Sequence, residues 1–435
     1  MASHSNFQSG IALSKKVQNS LIDIVGDVHD EIGSFKCQKL LAKESGSTIT
    51  AKCFSAVVPN GDTYYFSKTS DAIFKRTQSG TWSSVRSNGA ADASTGHTSC
   101  LYYNGKLYYT TLTKLGRFNL DVTWTDSYQT LTSGNHPMEQ FDLILYIANG
   151  KDIAQVDDAD VFSSSGLDLP IQFQSMALKS YGDDLLIGSK AGDYITDSKI
   201  WRWNTYSPSW SLSDPIKEVG IHTFIDADNY LFILAGTVGN IYLFGGSQMD
   251  IWKQIPNFDS TTVNHQMSAN YKGRALIANG SRVYSIHRKS RDLDFALVCE
   301  YECSQGSTAK IESIVVSGDD LLVAWSLDAT YGVDNVTSDY ATAVLETTMF
   351  NREDTIQVPY DELPSGTSIS IAVKQDGETS YTDLPVEVDS EDHRVVKLQN
   401  DLLIKRNAQA RITLTPNGAT TPVIDSVDIY SIKPR

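Results

Sequence analysis

Seven aspartates stand where carboxylates could do work: Asp142, Asp183, Asp184, Asp226, Asp228, Asp319 and Asp320, each at the edge of a short apolar run. A glycosidase needs two such groups facing one another, one to protonate the leaving oxygen and one to attack or to activate water. Here Asp183-Asp184 and Asp319-Asp320 occupy the same place in recurring segments, just before an apolar run. Catalysis uses one site, so repetition points to turn chemistry, in which Asp tolerates a left-handed backbone and bonds its own loop. A sialidase-type Ser-x-Asp-x-Gly-x-Thr-Trp turn survives only as the fragment Thr77–Trp82, without its acid and without recurrence. The arginines fall at unrelated positions, so no arginine triad can be assigned.

Metal chemistry finds little footing. Asp157, Asp158 and Asp160 form one acidic turn and Asp226, Asp228 and Asn229 another, but neither has the glycine and distal glutamate of a calcium loop. Both read as solvated turns. The eight histidines (His4, His29, His97, His136, His222, His265, His287 and His393) show no short-range pairing. The five cysteines, Cys37, Cys53, Cys100, Cys299 and Cys303, are odd in number and match no zinc spacing. They read as buried free thiols. Phosphate loops and nucleophile elbows are absent. The reading is therefore of no catalytic residues, no cofactor and no metal.

The short basic turn HRKSRD at His287 is the nearest approach to a nucleic-acid feature. It sits in a chain of net charge −16, which repels polyanions and anionic membranes. No apolar run reaches the length needed to span a bilayer, and the start of the chain lacks a signal-peptide core. Synthesis in a cytoplasm is expected, without membrane insertion.

The elements that carry these residues are strands. The chain has 21 Tyr, 15 Phe and 7 Trp in short runs with Val, Ile and Thr, broken by Gly, Asn, Asp and Ser. One pattern returns: a polar turn, an apolar-aromatic strand, and a second strand ending in an aromatic or basic residue. Anchored inside the first strand of each copy, it recurs at Tyr64, Leu107, Leu145, Leu185, Leu231, Ala275 and Leu321, with gaps of 43, 38, 40, 46, 44 and 46. A period near 43 residues is that of a four-stranded propeller blade. The spacing predicts a seven-bladed β-propeller over 51–336, with six to eight blades allowed. Segments of 1–50 (SLIDIVG and KCQKLLA) would complete the first or last blade. Trp82, Trp124, Trp210 and Trp252 follow four of the hairpins and are expected to pack at blade edges.

Over 337–435 the pattern changes to about seven short strands with PSG, DG and NG turns, which predicts a C-terminal β-sandwich. VIDSVDIYS alternates cleanly and reads as one strand with one buried face. Tyr360, Tyr381 and Tyr430 are too scattered to read as a sugar platform.

Several strings resemble tail-associated proteins of tailed phages and uncultivated viruses. They are SKKVQNS at Ser14, KLLAKESGSTIT at Lys39, FSKTSDAIFKRTQSGTWS at Phe66, HPMEQFDLILYIANG at His136, IAQVDDADVF at Ile153 and IWRWNTYSPSWSLSDPIKEVGIHTFI at Ile200. AGTVGNIYLF, YGVD, PSGTSISI and TPVIDSV extend the resemblance across the chain. It implies a structural virion protein on a propeller, in the tail, neck or host-adsorption apparatus. Its partners would be other virion proteins in a symmetric assembly, and it brings no catalytic residues. The alternative is a glycan-binding or glycan-degrading propeller used in host attachment.

Overall fold

The computed structural model describes residues 2–3, 21–28, 34–87, 96–121, 123–192, 197–227, 230–244, 251–288, 295–350, 355–385, 387–389, 394–398 and 407–430. Among them every regular element is a strand. The chain divides into two compact units: Lys43–Ser281 with Gln305–Asn335, and Met1–Ala42 with Arg282–Ser304 and Val336–Arg435. Arg282–Ser304 thus groups with the termini, because Val25 pairs in parallel with Cys299.

In the first unit, five antiparallel sheets of four strands follow one another from Cys53 to Gln254, each with its strands in chain order. The hairpin Ser268–Tyr271 with Arg274–Asn279 comes next, then Lys310–Ser317 with Asp320–Leu327 and Thr330–Tyr340. The Glu44 amide donates to the Val333 carbonyl of this last sheet. Leu21–Val25 from SLIDIVG runs beside Ala343–Thr347 in the second unit.

All seven repeat anchors fall in the second strand of their sheets, not the first. The polar turn that opens each copy is the hairpin between strands one and two. The second strand dominates because neighbouring sheets cover both of its faces, so it reads as a continuous apolar run. Leu145, Tyr146, Ile147 and Ala148 are all buried. Apolar layers alternate with the sheets. Phe54, Tyr64, Phe66, Cys100, Leu107 and Phe118 fill the layer between the first and second, and Cys53, Tyr65, Phe74, Leu322, Ala324 and Val333 that between the last and the first.

Close packing makes one glycine indispensable. A Cβ on Gly116 would lie 2.3 Å from the Tyr109 ring. That ring cannot swing aside, because its hydroxyl donates to Asp126 at 2.6 Å. Gly116→Ala is expected to lower stability by about 1–3 kcal/mol, seen as a shifted urea midpoint with unchanged slope.

The tryptophans do pack against their sheets. Trp124 stacks on Phe118 at 3.8 Å, Trp210 meets Trp201 edge-on at 4.8 Å, and Trp252 tilts on Phe232 at 4.8 Å.

In the second unit, Leu21–Val25, Ala343–Thr347, Ala408–Thr415, Ser368–Gln375 and Thr382–Asp383 lie in one sheet. Ala2–Ser3, Asp428–Tyr430, Thr355–Pro359, Arg394–Leu398 and Glu387–Asp389 form another. Ile356, Val358, Ile371, Ile412 and Leu414 are buried. VIDSVDIYS is not one strand: Val423–Ile424 pairs with Phe35–Lys36 and Asp428–Tyr430 with Thr355–Pro359. The break falls where Ser426 and Val427 are buried in succession, which a continuous alternating strand does not allow. All five cysteines are buried thiols outside any disulfide.

Candidate functional site: the central channel

The first strands of the seven repeats pack side by side in a closed cycle. Cys53–Val57 meets Ser99–Tyr103, followed by Met138–Phe141, Phe173–Tyr181, Ile221–Ala227, Ser268–Tyr271 and Lys310–Ser317, which packs back on Cys53–Val57. Ser55 Oγ donates across this closure to Ser313 Oγ at 3.1 Å, and Ser313 Oγ donates to the Cys53 carbonyl at 3.0 Å. The cycle surrounds a cavity of about 260 Å³ to which every first strand contributes, with Glu139, Lys179, Asp226, His265, Gln266 and Asn270 among its polar lining.

Its charged groups are already engaged. Glu139 accepts from the Ser180 amide at 3.1 Å and the Ser180 hydroxyl at 2.7 Å. Lys179 Nζ lies 2.7 Å from Asp226 and 4.0 Å from Glu139. Burial alone would lower the Lys179 ammonium, but the two carboxylates outweigh it and hold its pKa above the ordinary value. This is a buttressed cation with two acceptors, not a pair of carboxyl groups poised to share a proton.

A segment between the fifth and sixth sheets crosses the channel. The Gln266 side chain accepts from the Ser55 amide at 2.9 Å and donates to the Cys100 carbonyl at 3.1 Å, while its own carbonyl accepts from the Ile314 amide. His265 Nε2 lies 3.0 Å from Ser99 Oγ, and its ring stacks on Phe54 at 5.3 Å. Burial, with the Lys68 charge adding to it, holds the His265 imidazole down to about 3. Asn264 donates to the Glu312 carbonyl at 3.0 Å. One amide side chain and its neighbours thus tie together three walls of the channel. Nothing in NHQMSAN announces this plug, because its partners lie about 45 to 210 residues away. Glu139 and Lys179 escaped notice likewise, although a lysine inside the apolar run FQSMALKSY was a usable signal.

Of the seven aspartates, among the described residues only Asp226 reaches the channel lining. Asp142 sits in a turn with φ 48° and accepts from Tyr206. Asp183 occupies the next equivalent turn, with Asp184 opening the following strand. The Asp319 carbonyl accepts from Tyr271, and Asp320 binds Arg76 at 2.8 Å. Asp228, Asn229 and most of HRKSRD lie outside the described residues. The expectation of solvated acidic turns fails at Asp160. It is ion-paired with Lys106 and Arg117 and accepts from Tyr108; against burial, these contacts hold its carboxyl below the usual range. Among the described residues, no three His, Cys, Asp or Glu side chains are grouped as metal ligands would be.

No family model matches the chain, and no curated protein does. Solved structures do. A streptogramin B lyase is 16% identical, with a TM-score of 0.52, over 69% of this chain and 98% of its own. The extracellular domain of a one-component system from B. thetaiotaomicron is 10% identical, with a TM-score of 0.50, over 83% of this chain and 48% of its own. The Dos1 propeller is 10% identical with a TM-score of 0.48. The fold is all-β and of the β-propeller type. At such identities the likeness is one of architecture.

Proposed function

We propose that this chain is a non-enzymatic structural protein of a tailed-phage particle. In this reading seven blades form a propeller disc. A C-terminal sandwich accompanies the disc, and the protein acts by contact with other virion proteins of the tail, neck or adsorption apparatus.

One observation carries the non-enzymatic part: both carboxylates of the channel are bonded within the wall, and Gln266 bridges across it. A reaction centre at this place would have to break those contacts first. The resemblance of the sequence to tail-associated proteins supports the virion assignment. Weighing against sugar stacking in the C-terminal region, the Tyr381 ring is covered by Lys374 at 4.8 Å and Arg411 at 3.9 Å.

Quantitative peptide mass spectrometry of purified particles from a host producing this chain tests the reading. The expected result is a fixed, whole-number stoichiometry against the major capsid protein. Absence from particles overturns it. So does turnover of host polysaccharide by the purified chain that Glu139→Gln or Asp226→Asn abolishes.

A further inference from the structure

Three large apolar side chains stand in water on the turns at one end of the third and fourth sheets. Leu143 is 71% exposed, Val161 61% and Tyr206 84%. Hydrogen bonds bind these turns into one surface. Tyr206 donates to Asp142 at 2.9 Å, the Tyr103 hydroxyl donates to the Leu143 carbonyl at 2.5 Å, and Asn104 donates to the Asp158 carbonyl at 2.8 Å.

Leu143 is out of place by local chemistry. It follows Asp142 in a two-residue turn where both residues have positive φ, 48° and 60°. At the equivalent turns of the second, fourth, sixth and seventh sheets a glycine takes a positive φ: Gly105, Gly182, Gly273 and Gly318. Glycine suits that conformation and leucine does not. Gly105 and Gly273 take the position of Leu143, and Gly182 and Gly318 that of Asp142; the third sheet, with no glycine at either position, holds a strained, solvent-facing leucine at the second.

The surroundings are acidic. Asp142, Asp157, Asp158 and Asp183 have no lysine or arginine partner among the described residues, whereas Asp160 on the same turn is paired. Among the described residues, the Asp157 side chain accepts only from amides of its own turn, those of Ala159 and Val161.

We propose that this surface is a docking site for a basic, apolar segment of another protein, its apolar side chains seated on Leu143, Val161 and Tyr206 and its lysines or arginines facing Asp142, Asp157, Asp158 and Asp183. Charge selects the occupant. A second copy of this chain brings net charge −16, and a nucleic acid or anionic membrane is repelled in the same way. The inference rests on the protein-contact reading and makes it specific.

The test uses the full chain and a labelled twelve-residue peptide of alternating Lys and Leu, followed by anisotropy at 0.15 M salt and by amide hydrogen exchange. Glu/Leu and Lys/Ser peptides of equal length are the controls. The Lys/Leu peptide is expected to bind at least tenfold more tightly than either control and to protect residues 142–143, 157–161 and 204–207. Leu143→Gly is expected to weaken binding at least fivefold without lowering the melting temperature, and Asp157→Asn with Asp183→Asn to flatten the salt dependence. Should Leu143→Gly fail to fold, Tyr206→Ser gives the same reading. Equal binding by Leu143→Gly, protection elsewhere, or equal binding of the Glu/Leu peptide overturns the proposal. A chain missing from particles that still binds the peptide here sinks only the virion reading. Normal incorporation without this footprint sinks only the docking site.

Discussion

Arg76→Ala is expected to destabilise the chain by about 3–5 kcal/mol, the range for breaking a buried ion pair from one side. The Arg76 side chain is 4% exposed and lies where the last sheet meets the first. Its Nε donates to Glu44 at 2.7 Å, and its Nη2 donates to Glu44 at 2.6 Å and to Asp320 at 2.8 Å. Glu44 also accepts from Trp82 Nε1 at 3.0 Å and from Asn335 at 3.3 Å. One carboxylate thereby joins the first sheet and the last. Removing the guanidinium strands that carboxylate, which is 12% exposed, beside an apolar layer. Pairing Arg76→Met with Glu44→Leu removes both charges and is expected to recover more than half of the loss. Urea unfolding of the three variants gives the numbers. A single-variant loss below about 1 kcal/mol, the level of an exposed pair, would contradict the closure described here.

Acid should destabilise the propeller unit earlier than carboxylate protonation alone would. His97 is 3% exposed, with Nδ1 2.8 Å from the Ser67 carbonyl and its ring edge-on to Phe66 and Tyr109. Burial, the largest cause, holds its imidazole down to about 4, from an unfolded value of 6.5. Between those values the unfolded chain binds a proton that the folded chain does not. Stability is therefore complete above about pH 6.5 and falls as pH drops, by up to about 1.4 kcal/mol per pH unit and about 3 kcal/mol in all. His265 and His222 are lowered by burial and act in the same direction. Asp62, Asp126 and Asp160 have depressed pKa values, so their contributions persist above the ordinary carboxylate value and are lost only below it. The loss between pH 6.5 and 4.5 thus belongs to histidine. His97→Gln should flatten it, read from urea midpoints at pH 7.0, 5.5 and 4.5; an unchanged slope would show that His97 takes no part.

The repeat was legible because second strands are buried on both faces and so read as apolar runs at Tyr64, Leu107 and their counterparts. First strands were harder to see. Met138–Phe141 and Ser268–Tyr271 are short and partly polar, since they line the channel rather than an apolar layer. What local sequence could not carry were the contacts of high sequence separation. Glu44 with Asn335, Ser55 with Gln266 and Val25 with Cys299 each join segments more than 200 residues apart. The same limit hid the split of VIDSVDIYS, where the alternation was real but two different strands claimed its halves.

Closure of the ring is the claim on which the rest stands, and one cross-link addresses it. Ser55 Oγ and Ser313 Oγ are 3.1 Å apart although 258 residues separate them in sequence. In the Ser55→Cys/Ser313→Cys variant, mild oxidation followed by peptide mapping should recover a disulfide between positions 55 and 313 in most molecules, with folding retained. Recovery of both thiols unlinked, or their linkage only to Cys53 or Cys100, would mean that Lys310–Ser317 does not lie against Cys53–Val57 and that the sheets form no closed ring.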